Sequence, residues 1–243
     1  MNLWHRPLTA NELRQCLRIA FGCTLGFVLC KIFGWSNGVF FTVTPVLLLG
    51  MIPVMNGHAA RQLIASAAMC GLEVGLLGGL FGGHPGLMLP IVFLLFLYRF
   101  AAMSRGSLFL FGANGVLSLS IMLHFASYPE TDLNDLIFSN LWASVLSVLI
   151  AYLMTALIPD VEARPAPTPS PKAPHRMRHE ALLGASIATL SFLVFQLFDL
   201  RDSMSAQATT LLVLFPMHWD GALSYARKRA MGTLLGVSFG ILG

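Results

Sequence analysis

PDVEARPAPTPSPKAPHRMRH, residues 159–179, is the one long polar, proline-dense interval between runs of apolar residues. Pro165, Pro167, Pro169, Pro171 and Pro174 remove backbone donors and favour extended, solvated polyproline geometry over a packed core. The stretch therefore reads as an aqueous linker between two helical blocks, residues 1–158 and 180–243. Arg164, Lys172, Arg176 and Arg178 make it basic. Short basic loops lie on the cytoplasmic side of a membrane, which sets the expected orientation of everything else.

The flanking composition demands a membrane. With 56% hydrophobic residues, 11% charged and a mean hydropathy of +0.74, the chain cannot hide its apolar surface as one soluble domain. The net charge of +4 does not indicate a nucleic-acid partner, because the basic residues sit at the ends of apolar runs instead of forming a patch interleaved with aromatics. Cys16, Cys23, Cys30 and Cys70 lie inside apolar runs and form no CxxC motif. Seven residues of helix rise about 10.5 Å, whereas two thiolates on one zinc lie within roughly 4.6 Å. No metal is expected there, and His58, His84, His124 and His218 have no ligand spacing either. The chain also lacks GxSxG, HExxH and phosphate-loop motifs, so neither an enzyme nor a cofactor is expected. The first apolar run is too long for a cleaved leader and reads as an anchor.

Taken in order, the sequence predicts an all-α, polytopic transmembrane bundle. Thr9 and Glu12 have the spacing of a capping box, starting a helix near Ala10. Nine spans are expected, near 17–33, 39–55, 62–81, 87–100, 107–125, 136–158, 181–198, 203–219 and 229–243. Alternation then places all but Lys31 and Arg201 of the 15 Lys and Arg on the linker's side, with a cytoplasmic N-terminus. In this reading Arg99 and Arg105 flank the turn after the fourth span. A shift of 165 residues sets Gly71, Gly75 and Gly78 opposite Gly236, Gly240 and Gly243. That match predicts two parallel repeats of six spans, the second cut short after three.

Two polar residues stand out within the spans. Glu73 is the one acidic residue deep in an apolar run, and a carboxylate there is a functional hypothesis by default. Helix rise puts Lys31 at a similar height, so Lys31 and Glu73 are candidates for an ion pair that couples to a proton or an anionic substrate. The plainer alternative is quiet pairing of Glu73 with a neighbouring helix and snorkelling of Lys31 to headgroups. Gly71, Gly75 and Gly79, and again Gly232, Gly236 and Gly240, repeat every four residues and suit close helix packing. Asn114 and Gln196 suit hydrogen bonds across helices.

The segment Arg229-Ala-Met-Gly232-Thr233-Leu-Leu-Gly236 resembles the Arg-x-x-Gly-Thr-x-x-Gly motif of the fusaric acid resistance and aromatic acid exporter family. The opening Leu13-Arg-Gln-Cys-Leu-Arg18 and the Pro45 span before a basic turn are similar too. The resemblance is to a bacterial branch of that family. Arg229, Gly232, Thr233 and Gly236 carry over, while Ile64, Ala67 and Ala68 replace the motif in the first repeat. The resemblance implies an inner-membrane protein that exports aromatic or related organic acids, driven by the proton gradient and assisted by a periplasmic adaptor protein. A passive anion channel and a non-transporting scaffold are the alternatives, and a homo-oligomer is compatible with each reading.

Overall fold

The structure is a computed structural model that describes residues 8–52, 55–81, 85–128, 130–162, 164, 172–198, 204–216 and 219–242. The turn at 82–84, the loop at 199–202, His218 and the prolines at 165–171 lie outside the described residues. Every described element is an α-helix: α1 Ala10–Ile32, α2 Gly38–Met51, α3 Gly57–Phe81, α4 Pro85–Ser104, α5 Phe109–Ala126, α6 Leu133–Leu157, α7 Pro174–Leu197, α8 Met204–Leu214 and α9 Trp219–Leu242.

Six of these, α1 and α3 to α7, are long and apolar enough to cross a membrane. The other three of the nine expected spans fall on helices whose described residues are shorter or more charged. The 14 residues of α2 rise about 21 Å, and the 11 of α8 less, against a hydrocarbon core of about 30 Å. Helix α9 has the length, but Arg227, Lys228 and Arg229 interrupt its apolar run. The burial pattern is also that of a membrane protein. Leu72, Leu76, Leu94, Leu149, Leu190 and Phe239 are exposed, whereas Arg99, Asn114, Ser118, Ser120, His124 and Asn140 are buried. Polar groups inside and leucine outside is the arrangement that lipid favours.

The contacts divide the chain into two compact units, 1–82 with 125–170, and 83–124 with 171–243. The first holds α1, α2, α3 and α6. Gln15 Nε2 donates to the carbonyls of Leu49 and Gly50, both at 3.1 Å, so α1 and α2 are antiparallel. At the other end the chain reverses through Gly34 and Asn37, both with positive φ. Asn tolerates this left-handed conformation better than other side chains with a Cβ. Asn37 Nδ2 then donates to Asp135 at 3.2 Å in the first turn of α6. Trp35 stacks on Phe33 and Phe41 and meets Trp142 edge-on, giving this end the aromatic cluster expected of an interface. Helix α3 runs antiparallel to α6. Gly71 and Gly78 lie against Ile137 and Leu133, and Asn140 Nδ2 donates to the Ala67 carbonyl at 3.3 Å. The four helices thus alternate in direction even though α2 is short.

Pro45, inside α2, cannot donate to the carbonyl of Phe41 four residues earlier. That freed oxygen is where α1 comes closest: a Cβ at Gly26 would collide with it. The glycine lets backbone approach backbone, and its Cα–H covers an oxygen that has lost its helical donor.

In the second unit α7 packs along α4 and is followed by α8 and α9. Gly184 admits the Phe100 ring, since a Cβ there would lie 2.6 Å from Phe100 Cδ1. Helix α7 begins at Pro174, taking in the last residues of the polar stretch. Proline suits the first helical position because its missing N–H is not needed there. Within this start Glu180, buried, accepts from Lys172 Nζ at 2.7 Å and Arg176 Nε at 3.1 Å.

Candidate functional site

The most heavily buried helix is α5, every residue from Leu110 to His124 being out of solvent. Two glycines bring it against α4. A Cβ at Gly112 would strike the Arg99 carbonyl oxygen, and one at Gly115 would lie 2.8 to 3.1 Å from Cδ, Nε and Cζ of Arg99. Arg99 is therefore not at a turn, as the sequence suggests. It is 0% exposed and lies within α4, because that helix continues past Phe100 to Ser104.

Its guanidinium centre is 4.7 Å from the Phe111 ring centroid and 5.6 Å from that of Tyr98, and the two rings meet edge-on at 6.2 Å. Ring faces attract a cation, more strongly when water is excluded. Phe111 and Gly115, one turn apart on one helical face, bound the space beside Arg99 with a ring and a missing side chain. Among the described residues, Nδ2 of the buried Asn114 and both amide atoms of the buried Gln207 on α8 have no hydrogen-bond partner. Gln196 Nε2 is likewise without one. Chemically, the centre offers a fixed positive charge and π-faces inside an apolar helix pair.

The expected coupling residues lie in the other unit. Glu73 is half-buried on α3, between glycines 71 and 75 that face Ile137 of α6. Lys31 is exposed in the last turn of α1, with its ammonium 5.6 Å above the Phe27 ring. Each of the two helices packs on α6, and both residues lie toward the aromatic end of the unit.

Of the motif on α9, Arg229 Nε donates to Thr209 Oγ1 of α8 at 2.9 Å. Thr233 is exposed, and nothing lies within 4 Å of a Cβ built at Gly79, Gly232, Gly236 or Gly240. Gly71 and Gly75 do face a neighbour.

A second polar cluster, invisible to the sequence reading, ties the start of the linker to α1. Arg18, 1% exposed, donates through Nε to the Ile158 carbonyl at 2.7 Å and pairs with Asp160. Arg164 Nε lies 3.0 Å from the other Asp160 oxygen, while Nη1 and Nη2 donate to Gln15 Oε1 and the Asn11 carbonyl. Asn11 accepts from the Val161 amide at 2.8 Å and donates to the Glu162 carbonyl at 2.9 Å, and Arg14 donates to the Pro159 carbonyl. The first residues of the polar stretch are thus docked, not free in solvent.

These features define a multi-pass helical membrane protein with charged residues held inside its helix packing. Residues 15–154, more than half of the chain, match the family described as Protein of unknown function (DUF2955), and the chain belongs to that family. No curated protein and no solved structure matches it.

Proposed function

We propose that this protein is a transporter subunit of a bacterial inner membrane, exporting small organic acids of aromatic type. The observation that carries the reading is Arg99, a guanidinium fully buried in an apolar helix beside two aromatic rings. A charge at that position is costly in a membrane and marks a substrate or ion path. Guanidinium pairs with carboxylate, and the adjoining ring faces suit an aromatic body. The resemblance of the Arg229 to Gly236 segment to aromatic acid exporters supports the same substrate class. In this reading the proton gradient drives export, Glu73 with Lys31 provides the coupling charge, the N-terminus is cytoplasmic, and a periplasmic adaptor protein completes the path.

The test is export of a radiolabelled aromatic acid from cells expressing the protein, with and without a protonophore. Export that stops on uncoupling is expected, and Arg99→Gln should lower it roughly 10- to 100-fold, the worth of one lost charged contact. Downhill flux that persists without the gradient would instead make the protein a passive channel. Unchanged export in a well-expressed Arg99→Gln variant would remove Arg99 from the path.

A further inference from the structure

A groove of about 380 Å³ lies between the last two turns of α4 and the first two of α7. Leu97, Ala101, Met177, Ala181 and Leu182 give it an apolar floor, and Arg105 and Arg178 stand at it. From Leu97 to Arg105, and from Pro174 to Leu182, each wall runs about 12 Å along its helix axis. Charge is confined to one part of this strip. Arg105 follows the last residue of α4, and Arg178 belongs to the opening turns of α7.

The two arginines differ from the other cations at this end of the unit. Lys172 and Arg176 are both paired with Glu180. Among the described residues, neither Arg105 nor Arg178 makes a side-chain hydrogen bond or ion pair, and both are exposed. The start of α7 adds to the field. Its N-cap, Ala173, supplies no side-chain cap, so the amides of the first turn keep their partial positive charge.

We propose that this groove is a binding site for an anionic phospholipid. The phosphate sits between Arg105 and Arg178, and the upper acyl chain lies along Leu97, Ala101 and Ala181. Length decides for lipid over a small soluble acid: an apolar strip two helical turns deep with cations at one end matches an amphiphile aligned with the helices. Basic pockets between helix ends are recognised lipid headgroup sites. The inference needs only the membrane setting and is independent of the transport reading.

The experiment uses the full chain in nanodiscs of equal parts phosphatidylglycerol and phosphatidylcholine with matched acyl chains, read by native mass spectrometry after release. Wild type should retain phosphatidylglycerol selectively. Arg105→Gln/Arg178→Gln should retain it roughly 10- to 30-fold less, as expected for two cations near a headgroup. Arg227→Gln/Lys228→Gln, with the same change in net charge on α9, should behave as wild type. Ala101→Phe fills the groove while leaving both arginines, and should also lose the lipid. Equal retention of the two lipids by wild type overturns the proposal without any variant. So does undiminished retention by a monodisperse Arg105/Arg178 variant. Displacement of phosphatidylglycerol from wild type by millimolar benzoate would identify a soluble acid as the occupant and overturn it as well.

Discussion

Asp160→Ala is expected to cost the first unit about 3 kcal/mol. Asp160 lies between two guanidiniums, Arg18 and Arg164, with its side chain 12% exposed. Removing the carboxylate takes from Arg18, almost completely buried, the counter-ion it holds beside the Ile158 carbonyl. A buried charge without its counter-ion is far worse than no charge at all. Its side-chain exposure puts Asp160 at the lower end of the range for such losses. In mild detergent, thermal unfolding followed by thiol labelling should shift down by roughly 6–12 °C, at about 2–4 °C per kcal/mol. Arg18→Met in the Asp160→Ala background should recover much of the loss, because it withdraws a buried charge that has lost its counter-ion. If the double variant is no better than Asp160→Ala, the pair is not what holds the polar stretch to α1.

The second large effect is expected at the contact of Gly26 with Phe41. Gly26→Leu places a side chain where the Phe41 carbonyl oxygen already sits, and Pro45 Cγ, 3.4 Å from the first added carbon, closes the way past it. A flexible neighbour could move aside, but a backbone carbonyl next to a proline kink cannot without unpacking α2. About 3 kcal/mol is expected, at the top of the range for a single overpacked site. Pro45→Ala gives residue 45 an amide that can bond to the Phe41 carbonyl, so that variant should unfold within a few degrees of wild type. A Gly26→Leu protein as stable as wild type would show that α1 and α2 are held apart rather than in contact at this point.

The apolar runs are easy to read because each is a continuous local signal, and all nine overlap observed helices, although the starts of α1, α7 and α9 lie 7 to 10 residues earlier than expected. The helix ends are not, since hydropathy registers α2 as apolar without revealing that it stops at Met51. Arg99 illustrates the cost of a boundary error. Ending α4 at Phe100 turns a buried guanidinium into a loop charge, and four further residues of helix reverse its meaning. The signal that could have placed it was the pair Gly112 and Gly115 on the next helix, whose spacing suits a close neighbour. Arg18 and Asp160 lie 142 residues apart in sequence, and no periodicity connects them. Arg105 and Arg178 share a groove for the same reason: packing of α4 on α7 is a long-range event.

The interleaving of the two units also dictates an order of synthesis. Helices α4 and α5 leave the ribosome after α3, yet the helix that α4 packs along is α7, which emerges only after α6 and the polar stretch. The first unit has all its members once α6 is complete, while the second still lacks three of its five helices. Arg99 must therefore enter the bilayer with α5 as its partner, before α7 exists to pack along α4. Docking of Asp160 onto Arg18 ties the end of α6 back to α1, so the first unit can close before α7 is made to meet a waiting α4.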